Sequence, residues 1–185
     1  MTVRTVLRIG SPLLQQVAIP VDQFGTQELQ DLVNDLMDTM EAYEGAGLAA
    51  TQIGVMQRVV IFGVQMNSRY PDAETVPMTV LVNPCIEALT NETDDEWEGC
   101  LSVPGMRGMV TRSSRIRYSG FDQFGNPVER EADGFHARVV QHECDHLDGV
   151  LYTQRISDMT RFGFIEELAE SGAFGSLQPC DMIEE

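Results

Sequence analysis

Gln141-His142-Glu143-Cys144-Asp145-His146 decides how this 185-residue chain is read. Residues four apart on a helix share a face, so His142 and His146 can grip one cation together. Glu143 sits beside them, placed to handle a proton on a water that such a cation holds. Phe135 and Val139 continue the stripe of His142 and His146, so this face points inward. The spacing predicts a helix over residues 135–147, with Asp133 as its cap and Gly149 as its stop. Two of the three histidines in the chain fall in this motif, which argues against a chance pairing.

Two histidines leave the site incomplete, because catalytic sites of this type commonly use three protein ligands and keep a position for water. His136, a downstream carboxylate and a cysteine are the candidates for the third ligand. Cys144 lies two residues from each histidine, roughly 200° around the helix, and reads as packing. His136 precedes His142 by six residues and is also poorly placed. The chain has four cysteines, Cys85, Cys100, Cys144 and Cys180, with no CxxC pair. Its opening Met1-Thr2-Val3-Arg4 leads into no long apolar stretch, so a cytoplasmic location and free thiols are the expectation.

Further out, apolar residues at spacings of three and four (Leu29, Leu32, Val33, Leu36, Met37, Met40, Tyr43) predict an amphipathic helix. Thr26 is its expected cap and Gly45 its expected end. Strands are expected over residues 58–64, over 79–82 with a stop at Asn83-Pro84, and over 115–121. The last is joined by the turn 122–127 to a strand over 128–132. Residues 67–77 and the acidic stretch 90–96 read as exposed loops. Strands and helices are mixed rather than alternating, which favours an α+β fold. Residues 1–157 are expected to form the catalytic domain. Residues 158–185 read as a tail, a short helix around Phe162, Ile165 and Leu168 followed by a frayed acidic end.

Composition limits the partners. A 43% apolar and 22% charged chain is ordinary for a globular protein, which excludes wholesale disorder. No apolar run approaches the ~18–20 residues of a membrane span, so no membrane partner is expected. The net charge of −17, with no basic cluster against it, disfavours direct binding of nucleic acid.

Three separated stretches, in order, resemble the signatures of the peptide deformylase family. They are Gly45-Ala46-Gly47-Leu48-Ala49-Ala50-Thr51-Gln52, Glu98-Gly99-Cys100-Leu101-Ser102 and the motif ending in His146. The likeness runs to about Ser157. It implies antiparallel sheets packed around a central helix that carries the HExxH motif. It also implies that Cys100 is the third metal ligand with His142 and His146, that Glu143 is the acid–base group, and that Gln52 donates to the reacting oxygen. The backbone N–H of Leu101 can join Gln52 there. The implied substrates are N-formylmethionyl nascent peptides, and the products are formate and a free N-terminus.

By the same resemblance, Arg107 contacts the peptide backbone, and Ala46, Phe135, Arg138 and Val139 surround its first side chain. Arg138 departs from an apolar pocket. Either its charged end reaches water or an acid while the stem lines the wall, or the pocket is more polar. Gly45 and Gly47 are expected to let backbone approach an extended peptide, or to adopt positive φ. Glu98 and Arg112 read as an ion pair near the ligand. One divalent metal per chain is implied. The family favours Fe(II), while a Cys/His/His set also suits Zn(II). Some family members carry a basic C-terminal helix thought to meet the ribosome. Here the tail holds Glu166, Glu167, Glu170, Asp181, Glu184 and Glu185 against Arg161, so ribosome contact by that route is not expected. A zinc peptidase and a structural metal site are the competing readings. Substrate choice separates the first, and a fourth ligand would mark the second.

Overall fold

The computed structural model describes residues 2–64 and 75–173. Its first long element, α1 (Gln27–Ala42), starts where expected: the Thr26 side chain accepts from the Leu29 N–H. Leu29, Leu32, Val33, Leu36 and Met40 form its buried face. The helix stops earlier than Gly45. Tyr43 closes it, and Glu44 rather than a glycine takes the left-handed turn with φ 51°.

The larger sheet is antiparallel throughout, in the order β1 (Gly47–Ala49), β2 (Val59–Val64), β3 (Val76–Ala88), β6 (Arg115–Phe121), β7 (Pro127–Asp133). Every residue of β2 is buried, because both faces of the sheet are covered. Val60, Phe62 and Val64 join a core with α2 (Gly134–Leu147), whereas Val59 and Ile61 join a second core with α1. A continuous apolar run is what a strand buried on both faces requires. Each such side chain contributes ~1.5–3 kcal/mol by leaving water.

Two expectations about strands are corrected. β3 does not stop at Asn83-Pro84 but runs on to Ala88. Asn83 takes φ 51°, and the register shifts between Val82 and Cys85. A bulge of this kind accommodates a proline that has no N–H for the ladder. The Asn83 side chain fastens the bulge by exchanging two hydrogen bonds of 2.9 Å with the Val21 backbone. The acidic stretch 90–96 is not all loop either. From Thr93 it enters β4 (Thr93–Cys100), an edge strand of a second sheet ordered β4, β5 (Val103–Ser113), β8 (Phe162–Phe164). Charges on an edge strand discourage pairing with other chains. Of the loop expected over 67–77, Val76 and Pro77 belong to β3, and the stretch up to 74 lies outside the described residues.

α2 packs against β1, β2, β3, β6 and β7 of the larger sheet and against β5 of the smaller one. It begins after Asp133, whose side chain makes no capping bond. Past its end, Gly149 has φ 72°, and a Cβ there would come within 2.6 Å of the Gln15 carbonyl oxygen. The segment after Ser157 stays on the fold. β8 pairs with β5, and α3 (Ile165–Glu170) follows, burying Leu168. Phe162 is thus in a strand rather than in the short helix, and the frayed end expected beyond Ala173 lies outside the described residues. No helix among the described residues is long and apolar enough to cross a membrane.

Candidate active site

Three pieces of backbone converge where α2 passes the smaller sheet. β4 ends in Cys100, α2 presents His142 and His146, and the 3-10 turn Ala50–Ile53 delivers Gln52. One ligand atom from each of Cys100, His142 and His146 lies within 4.8 Å of the others. Cys100 Sγ is 3.3 Å from His146 Nε2. A thiolate with two imidazoles is a donor set that fits zinc or ferrous iron. Among the described residues the cluster ends at three. Burial alone would raise the Cys100 thiol, but the flanking His146 and His142 outweigh it and hold the thiol well below its ordinary value.

Glu98 supports this cluster from behind. Its Oε1 accepts from Arg112 Nε at 2.8 Å and Arg138 at 2.7 Å, and its Oε2 from Arg112 at 2.8 Å and His142 Nδ1 at 2.8 Å. Burial would raise Glu98, but the bonds from Arg112 and His142 prevail and hold it well below the carboxylate range. An ionised Glu98 only accepts, so Nδ1 of His142 carries the proton and Nε2 keeps its lone pair for the centre. Arg112 also donates to Asp145, which Arg155 grips as well.

Glu143 is buried, and its Oε2 has no hydrogen-bond partner among the described residues. Burial pushes its pKa up to about 7, against the opposing influence of His142 and His146. β1 runs directly against it: a Cβ on Gly47 would lie 2.5 Å from Glu143 Oε1. A Cβ on Gly45 would lie 3.1 Å from Leu101 Cδ1. Neither glycine has positive φ, so that part of the sequence expectation is corrected. What excludes a side chain at Gly47 is the site's own carboxylate.

Gln52 is fixed at both ends of its amide. Its Oε1 accepts from Ala49 N–H at 2.9 Å, and its Nε2 donates to Ser102 Oγ at 3.1 Å and to Cys100 Sγ at 3.5 Å. Ser102 belongs to the second sequence signature, yet the sequence gives its hydroxyl no evident task. Leu101 follows Cys100 in the turn between β4 and β5. The cleft in front of these groups is walled by Ala46, Phe135, Val139 and Trp97. Arg107 lies at the same cleft with its guanidinium over Gly99, where a Cβ would overlap it. Arg138 does not present its charge to the cleft. It is 5% exposed and reaches back to Glu98, which leaves its stem for the wall.

Two candidates stay outside the centre. Nε2 of His136 is 3.2 Å from the Tyr118 hydroxyl. Cys144 packs in the core, where burial pushes its thiol up. Tyr152, which the sequence does not single out, stacks on the His142 ring at 6.1 Å.

Residues 3–162 match the family model of polypeptide deformylases. The chain belongs to the polypeptide deformylase family. It is 59% identical over 166 residues to peptide deformylase 2 of Ralstonia nicotianae, covering 90% of this chain and 94% of that one. Against peptide deformylase 1 of Nitrosomonas europaea the identity is 57% with the same coverage. Among solved structures it resembles a class I type b peptide deformylase from Acinetobacter baumannii with Met-Ala-Ser bound. The TM-score there is 0.80 at 38% identity, over 84% of this chain and 99% of that one. It also resembles the peptide deformylase of Synechococcus elongatus in complex with actinonin, with a TM-score of 0.77 at 32% identity, over 91% and 86% of the two chains. As a deformylase family member this chain is a hydrolase that removes the N-formyl group from nascent peptides.

Proposed function

We propose that this cleft takes the formyl-methionyl end of a nascent peptide and cleaves its formamide, with Glu143 as the acid–base group. The observation that carries this reading is the unpartnered, buried carboxylate oxygen of Glu143 beside the Cys100, His142 and His146 cluster. A divalent ion held by those three residues would supply Lewis acidity and an activated water there. Glu143, with its pKa pushed up to about 7, is suited both to accept a proton and to release it. It takes the proton from the attacking water and passes it to the departing amine, leaving formate and a free peptide N-terminus.

Gln52 and the Leu101 backbone N–H are the proposed donors to the formyl oxygen as negative charge gathers on it. Donation along Ala49–Gln52–Ser102 fixes which end of the Gln52 amide faces the centre, and the N–H directed at Cys100 Sγ at 3.5 Å is the one that would turn to the formyl oxygen. Ala46, Phe135, Val139 and the Arg138 stem would enclose the methionine side chain. β1 is the edge strand of its sheet, so the peptide can add alongside Gly45–Gly47 as a further strand, with Arg107 near its backbone. In this reading α2 is the central helix around which both sheets close. Residues 1–157 would carry all the proposed site residues, with β8 and α3 packed onto that unit.

The thiolate ligand suits ferrous iron as well as zinc. We favour iron from the family resemblance, with Cys100 as the ligand most vulnerable to oxidation. The site of action would be the cytoplasm, at or near the ribosome, and without a basic C-terminal helix to hold it there. The test is anaerobic formate release from formyl-Met-Ala beside an acetyl-Met-Ala control, with metal content assayed on the same sample. Formate from the first peptide alone is expected, in proportion to bound metal. A folded sample loaded with iron, and separately with zinc, that releases none would overturn the proposal.

A further inference from the structure

We infer that Arg138 is a positioning residue for the metal site, setting the orientation of His142 through Glu98 and clamping the Cys100 hairpin to α2. The inference rests on the reading of Cys100, His142 and His146 as ligands. Its basis is where the guanidinium goes. From α2, NH1 donates to Glu98 Oε1 at 2.7 Å and to the Val110 carbonyl at 2.9 Å, while NH2 donates to the Asp94 carbonyl at 2.8 Å. Asp94 lies on β4, opposite Arg112, and Val110 lies on β5, opposite Glu96. One side chain therefore pins both strands of the hairpin that ends in Cys100 to the helix that carries both histidines.

The same guanidinium completes Glu98. A carboxylate offers about four acceptor positions, and those of Glu98 are taken by Arg112 twice, Arg138 once and His142 once. Arg112 alone is a divided anchor, because it also serves Asp145. With Arg138 in place Oε1 is held from two directions, and Oε2 is fixed on His142 Nδ1. A wall for a methionine side chain needs none of this, since an unbranched apolar residue would provide it. Lysine could not replace the fork, because its point charge cannot span an acid and two carbonyls in one plane.

The experiment compares wild type with Arg138→Lys and Arg138→Met, each loaded with cobalt as a spectroscopic stand-in. Five quantities are read: the rate of cobalt loss to a chelator, the thiolate-to-cobalt absorption band, the 15N tautomer signature of His142 in zinc-loaded samples, and kcat and KM for formyl-Met-Ala. The expected result is metal loss roughly ten- to a hundredfold faster in Arg138→Met, with a displaced band and lower kcat but nearly unchanged KM. Arg138→Lys should fall between it and wild type. Variants that keep wild-type retention, band and tautomer while only KM changes would overturn the inference and leave Arg138 as pocket wall. If Arg138→Met does not fold, wild-type retention in Arg138→Lys overturns it alone. A wild-type chain that binds no cobalt would overturn the ligand reading itself, and this inference with it.

Discussion

Replacing Glu143 with glutamine keeps the shape of a buried side chain but removes the group proposed to accept and return a proton. We expect the variant to retain its metal and its melting temperature while turnover falls by at least ~100-fold, the lower end of the range for such transfer. Metal analysis beside a formate assay checks this, and wild-type turnover would remove Glu143 from the chemistry. Gly47→Ala tests the same carboxylate from the other side. The new methyl would sit 2.5 Å from Glu143 Oε1, and a displacement near 1 Å costs about a hundredfold in rate. A fall in kcat at unchanged metal content is the expected result. The two histidines and Glu143 were legible because helix spacing alone puts them together. Cys100 was not legible that way: a strand end and a tight turn bring it to His146, and only the family signature announced it. The reason for Gly47 was hidden for a similar cause, because its constraint comes from a residue far along the chain.

At the level of elements, the buried ion network should govern stability. Arg112 and Glu98 expose 3% and 4% of their side chains. Arg112→Met would strip charge-matching donors from Glu98 and Asp145 and is expected to cost about 3–5 kcal/mol, measurable by urea unfolding. A milder, pH-dependent effect belongs to the turn between β6 and β7. There Asp122 accepts from the backbone N–H groups of Phe124 and Asn126 at 2.8 and 2.9 Å. Its slight burial would raise its pKa, but donation from the Asn126 side chain and backbone prevails and lowers it. The stabilisation is therefore complete above the ordinary aspartate value of 3.8 and is lost as pH falls through the folded value. The gap in melting temperature between wild type and Asp122→Ala should narrow as pH drops below 4; a gap that widened would contradict the sign. β2 and the β6–β7 hairpin were readable because apolar runs, alternation and turn residues agree in them. β4 was not, since Asp94, Asp95 and Glu96 carry no strand signal and are held extended by pairing with β5. The far half of β3 was masked by Pro84, whose missing N–H falls at a bulge.

For the molecule as a whole, α+β character was visible in the order of elements and antiparallel sheets were implied by the family resemblance, but which strands share a sheet was not, because it depends on pairings distant in sequence. That division into two sheets gives the metal site a second consequence. Cys100 comes from the three-stranded sheet, whereas His142 and His146 come from a helix laid mainly on the five-stranded one. Removing the ion with a chelator should lower the melting temperature. An ion at a hundred times its dissociation constant contributes about 2.7 kcal/mol, and unchanged melting would exclude binding to the folded state alone. Bound to the folded state, the ion would link two points some forty residues apart in the chain, a link that is lost when the ion leaves the unfolded chain. Amide exchange should then slow on loading chiefly in β4, β5 and β8, with β2 and β3 little changed. The cofactor would act as a clasp between two halves of the fold, and a chain losing it would begin to open along that seam.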